Sequence, residues 1–282
     1  MQSFIDVQLT LSLESVDLAG LLVDEGVLGV WEQDGVIHLY WDEQTWDTII
    51  LDRIYEALRQ LGVVPDSKRI VVRTIPWEDW NAKWTEFVQP IQIGQRIVVR
   101  PSWASVELPS NGIELILDPK QAFGTGHHAT TQLLVEWLEE AIQGGERLLD
   151  VGTGSGLLAM VALRLGASSA VGVDCDSVAI DCAKEYAQVN YFDEGLEFRI
   201  CDISSLPANE SFDLIVANID RRTLLANHGA FTASSHSTTR LFVSGILTTD
   251  QEDIVAQYTR QGWRCVERRR QEDWMALQFQ LE

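Results

Sequence analysis

The chain has 282 residues, 46% hydrophobic and 22% charged, with a formal net charge of −21; it is long enough for one large or two ordinary domains and has a globular composition. It contains no apolar run of about 18 residues, which excludes a helical membrane span, and its first residues lack the basic-then-apolar order of a secretory signal, so the cytosol is the expected compartment. The acidic balance disfavours direct nucleic-acid binding and favours a basic partner, with solubility alone as the plainer reading.

In chain order, Val7, Leu9, Leu11 and Leu13 alternate with polar neighbours and predict a half-buried strand. Ser15 caps a short helix through Val23, with Gly26 as its stop. The runs Val27–Trp31 and Val36–Trp41, separated by Gln-Asp-Gly, form a hairpin signal. A helix over Thr48–Leu61 and a strand over Arg69–Arg73 complete the order β-α-β-β-α-β, which is that of a ferredoxin-like domain over residues 1–75. Residues 1–66 hold 13 acidic against 2 basic side chains, a net −11, and no catalytic constellation. This part reads as a recognition domain for a basic partner, with a solvated acidic surface as the competing reading.

Pro76 introduces a segment in which Trp77, Trp80, Trp84 and Phe87 fall on one helical face, an interdomain helix within a linker over residues 76–95. Strands follow at Arg96–Arg100 and Ile113–Asp118. The loop Phe123-Gly124-Thr125-Gly126 then leads into a helix from about Thr130 to Ala141, whose free N–H groups and threonine hydroxyls point back at the loop and suit a carboxylate. His127 and His128 are adjacent, diverge in direction and have no third partner at ligand spacing, which argues against a metal.

The most informative stretch is Arg147–Ala159. An apolar run ends in Asp150, Gly152, Gly154 and Gly156 follow at alternate positions, and a helical pattern starts at once. Alternate glycines let backbone approach a ligand and adopt φ > 0. Leu157 breaks the Gly-x-Gly-x-x-Gly spacing of dinucleotide folds, and no Gly-Lys-Ser/Thr is present. A second apolar run ends at Asp174, 24 positions after Asp150, where a parallel α/β sheet offers a carboxylate to ribose hydroxyls. A helix over Asp176–Asn190, a strand from Leu196 with Asp202 behind it, and a buried strand Phe212–Asn218 continue the α/β order; Asp202 is a candidate for the adenine amino group. Further strands are expected around Arg240–Ser244 and Met275–Gln280, flanking a helix near Asp250–Gln261, and Arg268-Arg269-Arg270 reads as a solvated loop. Cys175, Cys182, Cys201 and Cys265 contain no Cys-x-x-Cys pair and read as reduced, mostly buried fillers.

The glycine loop with Asp174 resembles that of the Rossmann-like S-adenosylmethionine-dependent methyltransferases. Joined with Asp118-Pro, Phe123-Gly-Thr-Gly, Thr130-Thr131 and Ala217-Asn218-Ile219, it looks like the PrmA type, which methylates the eleventh protein of the large ribosomal subunit. The resemblance covers the whole chain. It implies a Rossmann-like methyltransferase domain over residues 96–282 preceded by a ferredoxin-like substrate-recognition domain, S-adenosylmethionine as donor, and trimethylation of lysine ε-amines and the N-terminal α-amine of that basic ribosomal protein, by a monomeric enzyme. It maps cofactor contacts onto Thr131, Gly152, Asp174 and Asn218. The surrounding loop residues Phe123, Gly124, Thr125, Gly126, Asp150, Gly154 and Asp202 are expected to join them, and Asn218 is the expected catalytic residue, accepting amine hydrogens. The chain departs from the family pattern at His127, Ala129 and Asp220, where Thr, Pro and an apolar residue are usual, and these changes fall at the substrate mouth. Asp220 is a further candidate amine acceptor. Action on another protein or a small amine, or a cofactor-binding module without catalysis, are the other readings the residues allow.

Overall fold

The computed structural model describes residues 3–10, 22, 26–33, 36–60, 63, 69–76, 89–118, 124–207 and 209–281. They fall in two compact units, Met1–Glu86 and Phe87–Glu282. Among the described residues no helix is long and apolar enough to cross a membrane.

In the first unit, β1 (Ser3–Thr10), β2 (Gly29–Gln33), β3 (Val36–Asp42) and β4 (Ile70–Pro76) form an antiparallel sheet in the order β2-β3-β1-β4, an order compatible with the ferredoxin-like arrangement. Leu11 and Leu13 lie outside the described residues, and the alternation read at Val7 and Leu9 becomes one apolar face. Ile5, Val7, Leu9, Ile37, Leu39 and Trp41 are buried there against Ile50, Ile54, Ala57 and Leu58 of α1 (Thr48–Gln60). Strand β4 runs on to Pro76, beyond the expected end at Arg73. The helix expected over Ser15–Val23 lies outside the described residues except for the buried Leu22, and the tryptophan-rich segment from Trp77 to Phe87 lies wholly outside them.

The second unit opens with a small sheet of β5 (Ile91–Ile93), β6 (Ile97–Arg100) and β7 (Ile113–Ile116), in which β6 and β7 are parallel. Strand β5 was not expected: three residues between Pro90 and Gly94 are too few to show a period. Buried Asn190 clamps β7 through both ends of its amide, accepting from the Ile116 N–H at 2.7 Å and donating to its carbonyl at 2.8 Å.

The main sheet consists of β8 (Arg147–Val151), β9 (Ser169–Asp174), β10 (Leu196–Ile200), β11 (Phe212–Asn218), β12 (Ser235–Leu247), β13 (Trp263–Gln271) and β14 (Trp274–Leu281), in the order β10-β9-β8-β11-β12-β14-β13. The first five positions are parallel, and β14 is antiparallel to both its neighbours. Side-chain alternation sends Leu148, Leu214 and Val216 to one core, with α2 (Ala129–Ala141), α3 (Leu157–Leu165) and α4 (Ser177–Val189). Leu149, Ile215 and Leu241 go to the other core, with α5 (Arg221–Ala233) and α6 (Gln251–Thr259). A sheet buried on both faces explains why these strands read as continuous apolar runs. Strand order reverses between β8 and β11, and the crevice outside the carboxyl ends at such a switch point is where open α/β sheets bind ligands.

The arginine run is not the solvated loop expected. Arg268, Arg269 and Arg270 lie in edge strand β13, where ion pairs take the place of apolar alternation. Arg268 meets Glu252 at 2.7 Å, Arg269 meets Glu140 and Glu267 and lies over the Trp137 ring, and Arg270 faces Asp273 at 3.7 Å. These acids neutralise the run, so it offers no open basic surface.

Candidate active site

The loop between β8 and α3 is built by alternation. Its odd positions point inward, with Thr153 buried and Ser155 wholly buried, while Gly152 and Gly154 are the partly exposed edge. Gly152, Gly154 and Gly156 take φ of +69°, +52° and +77°, a region that costs other L-residues strain. Space enforces the choice too: a Cβ on Gly152 would lie 2.3 Å from Ile219 Cγ2, and one on Gly156 would lie 2.6 Å from the Phe198 ring.

Asp150 anchors the loop from below. Its Oδ2 accepts from Thr153 Oγ1 at 2.6 Å and from the Ala159 N–H at 3.3 Å, while its buried Oδ1 has no partner among the described residues. Complete burial pushes this carboxyl up to about 7, against the opposing pull of the Thr153 and Ala159 hydrogen bonds. Asp150 therefore acts on the loop rather than at its exposed edge.

Asp174 ends β9 with both oxygens held: Oδ2 accepts from the Gly154 N–H at 3.0 Å and Oδ1 from the Asp176 N–H at 3.0 Å. Each oxygen keeps further acceptor capacity for a pair of hydroxyls. Asp202 follows the neighbouring strand β10 and caps a short turn, accepting from the Ser204 N–H at 2.8 Å; its bonds from Ser204, joined by the Cys175 thiol, outweigh burial and lower its pKa.

On the other side of the switch point Asn218 ends β11, and its Nδ2 donates to Thr131 Oγ1 of α2 at 3.0 Å. This contact joins residues 87 positions apart. It turns the amide so that Oδ1 is its acceptor end, and it leaves the Thr131 hydroxyl hydrogen for another acceptor. The start of α2 is less open than the sequence suggested. The His128 ring caps it, taking the Thr130 N–H at 3.4 Å, and the His128 carbonyl takes the N–H groups of Thr131 and Gln132. Thr131 thus contributes a side chain rather than a free backbone donor. His128 also meets the edge of Trp274 at 4.8 Å between ring centroids, and burial lowers its pKa against the opposing charge of Glu272. Among the described residues no group of three or more His, Cys, Asp or Glu is arranged to hold a metal ion.

Gly124, Thr125 and Gly126 precede α2, with φ of +105° at Gly124 and +89° at Gly126; Phe123 lies outside the described residues. Ser155, for which the sequence raised no expectation, ties this loop to the glycine loop: its hydroxyl donates to the Gly124 carbonyl at 2.7 Å. The only signal for it was its place between two glycines. Asp220 is a helix cap: Oδ1 takes the Thr223 N–H at 3.1 Å and Oδ2 the Thr223 hydroxyl at 2.6 Å, at the head of α5. Burial raises its pKa, but these bonds prevail and the net direction is down, so both oxygens serve the helix as its cap.

Gly152 and Gly154 after β8, Asp174 at the end of β9, Asp202 after β10 and Asn218 at the end of β11 thus sit at the carboxyl ends of four strands that are adjacent in the sheet. A parallel sheet with this switch point, a left-handed glycine loop after its first strand and an acid ending the next define a class I methyltransferase of Rossmann-like fold. A solved structure of ribosomal protein L11 methylase from Lactobacillus delbrueckii subsp. bulgaricus matches with a TM-score of 0.64 at 27% identity, covering 69% of this chain and 99% of that one. The family described as "Ribosomal protein L11 methyltransferase (PrmA)" matches residues 13–282, and the chain belongs to it. Relatives named ribosomal protein L11 methyltransferase include one from Dictyoglomus turgidum, 32% identical over 96% of this chain and 93% of its own length, and one from Ralstonia nicotianae, 36% identical over 84% and 79%.

Proposed function

We propose that this methyltransferase uses S-adenosylmethionine to methylate lysine ε-amines and the N-terminal α-amine of the large-subunit ribosomal protein L11, in the cytoplasm and as a monomer. The observation that carries the cofactor assignment is the convergence of the glycine loop, Asp174 and the Asn218–Thr131 pair on one sheet edge. The names of the relatives over nearly the whole chain support the substrate.

The residues fit the cofactor. Gly152 and Gly154 present backbone without Cβ atoms, Asp174 is pre-aligned by two N–H groups for ribose hydroxyls, and Asp202 stands one strand further out for the adenine amine. Thr131, Asn218 and the loop of Gly124, Thr125 and Gly126 would hold the methionyl end, and Asp150 keeps the glycine loop in shape. The bound sulfonium supplies an already activated methyl group, so the protein has to align a neutral amine with it. A lysine of pKa about 10.4 must first lose its proton. Asn218 Oδ1 accepts an amine hydrogen and aims the lone pair, and its hydrogen bond to Thr131 fixes that direction. The first unit, whose stretch from residue 1 to 66 carries a net −11, attracts a lysine-rich protein and needs no nucleic acid to do so.

The test is intact-mass spectrometry of purified L11 after incubation with this protein and S-adenosylmethionine, with fragment mapping of added methyl groups. Stepwise additions at lysine or the terminal amine establish the reaction. No mass change with cofactor binding intact moves the acceptor to another protein or a small amine, and His127 and Ala129 then become the residues to exchange.

A further inference from the structure

We propose that Cys175 and Cys201 are a redox-sensitive thiol pair whose joining in a disulfide disables the cofactor site beside them. The proposal rests on the cofactor reading above for its consequence, but not for the pairing itself.

The cysteines are 26 residues apart in sequence and directly follow neighbouring strands. Asp174, the last residue of β9, is in register with Ile200, the last of β10, and the Cys201 N–H donates to the Asp174 carbonyl at 3.0 Å, which continues the register one step past the strand ends and brings Cys175 beside Cys201. Adjacent strands lie about 4.8 Å apart, inside the Cα separation that a disulfide spans. The Cys175 thiol leans across this gap, with Sγ 3.9 Å from Oδ2 of Asp202, the residue after Cys201. Cys201 itself packs on the same core as Val171 and Val173, the alternate residues of β9 that lead toward Cys175.

Exposure divides the roles: Cys175 is exposed and Cys201 partly buried. The Cys175 thiolate attacks a small-molecule disulfide and releases one thiol, and Cys201 then attacks the mixed disulfide and releases the second. In the balance, two protein thiols lose two hydrogens and the external disulfide is reduced to two thiols. Burial raises both thiol pKa values, and the carboxylates of Asp202 and Asp174 reinforce the rise at Cys175, so the pair reacts slowly near neutral pH and faster as pH rises.

The consequence follows from chain position. Asp174 immediately precedes Cys175, and Asp202 immediately follows Cys201. A bridge draws together the strand ends that carry both acids and removes the thiol hydrogen bond to Asp202. A cofactor spanning the two acids in turn covers Cys175 and slows its reaction.

The experiment equilibrates the full chain in mixtures of reduced and oxidised glutathione, maps disulfides by non-reducing digestion and mass spectrometry, and measures S-adenosylmethionine affinity by calorimetry in each state. The expected result is a Cys175–Cys201 peptide that has lost two hydrogens, an affinity weaker by about tenfold or more, recovery on reduction, and slower labelling of Cys175 with cofactor bound. Cys175→Ser, which keeps a donor for Asp202, should keep the reduced-state affinity and make binding insensitive to oxidised glutathione. The pair is overturned if Cys175 stops at a glutathione adduct, if the bridge forms between two molecules, or if the bridged protein binds cofactor as tightly as the reduced one. Failure of the reduced protein to bind S-adenosylmethionine refutes the cofactor reading instead and leaves the disulfide map to decide the pairing.

Discussion

Gly152 shows how tightly single residues constrain this site. Its φ of +69° and the 2.3 Å separation that an added Cβ would have from Ile219 Cγ2 act independently, so Gly152→Ala should cost about 1–3 kcal/mol and weaken cofactor binding. The double variant Gly152→Ala/Ile219→Ala should recover only the steric part, since the backbone strain stays; chemical denaturation of the four proteins of this cycle measures the coupling. Asp150 makes a different prediction, in pH. Its carboxyl is raised to about 7 by burial, whereas an unfolded aspartate titrates near 3.9. Between about pH 4 and about pH 7 the unfolded chain ionises while the fold holds the proton, so stability falls as pH rises across that window and levels off above it. The slope is on the order of 1 kcal/mol per pH unit. Asp150→Asn keeps an acceptor for Thr153 and Ala159 but cannot ionise, and its melting temperature should lose this dependence; an unchanged profile would show that the group is ionised throughout. At Asn218, substitution by alanine removes the aimed acceptor, and kcat should fall on the order of a hundredfold. Thr131→Val should lower it less, because the amide stays but is no longer held; single-turnover kinetics with cofactor saturating separates the two.

Elements carry the next level. The resemblance implied an apolar residue at the position of Asp220, which as a sequence feature suggested chemistry; at the head of α5 it is a cap, with each oxygen bonded to Thr223. Asp220→Ala should therefore cost about 1 kcal/mol and lower the melting temperature by about 2–4 °C, leaving the rate of methyl transfer per folded molecule and its pH dependence unchanged. A lost or pH-shifted rate would return Asp220 to the reaction. Strand β13 teaches a related point. Its sequence, Trp-Arg-Cys-Val-Glu-Arg-Arg-Arg-Gln, lacks apolar alternation because it is an edge strand whose arginines are ion-paired: Glu267 and Asp273 lie within three residues of Arg269 and Arg270, but Glu252 and Glu140 come from other elements, 16 and 129 positions from Arg268 and Arg269, and no local window contains those two. The opposite case is α4, where Asp176 accepts the Val178 N–H as cap and the helix runs Ser177–Val189, close to its expected bounds, since capping acts within a few residues.

At the scale of the molecule the charge of −21 is a long-range field that steers a basic partner and weakens with ionic strength. The KM for L11 should rise several-fold between low and physiological salt while kcat with saturating substrate stays constant, as steady-state kinetics at graded sodium chloride will read; a salt-independent KM would reduce the charge to a solubility device. The residues of the site itself divide by range. The glycine loop, Asp174 and the alternation of strands and helices in an α/β domain were legible in the sequence, because φ preference, strand period and turn chemistry are local physics. What the linear chain left open depends on groups that meet only after folding. The Ser155 bond to Gly124 crosses 31 positions, the Asn218 bond to Thr131 crosses 87, and Asp150 owes its raised pKa to enclosure by the whole unit. The cysteines read as reduced, mostly buried fillers when only their spacing was visible, but of the four only Cys182 is buried, and Cys175 and Cys201 follow the paired ends of β9 and β10. By itself the sequence determined the class of fold and the loops that would bear the site, whereas the tertiary structure alone decided which side chains touch, because contact and burial are properties of the packed sheet and not of any segment within it.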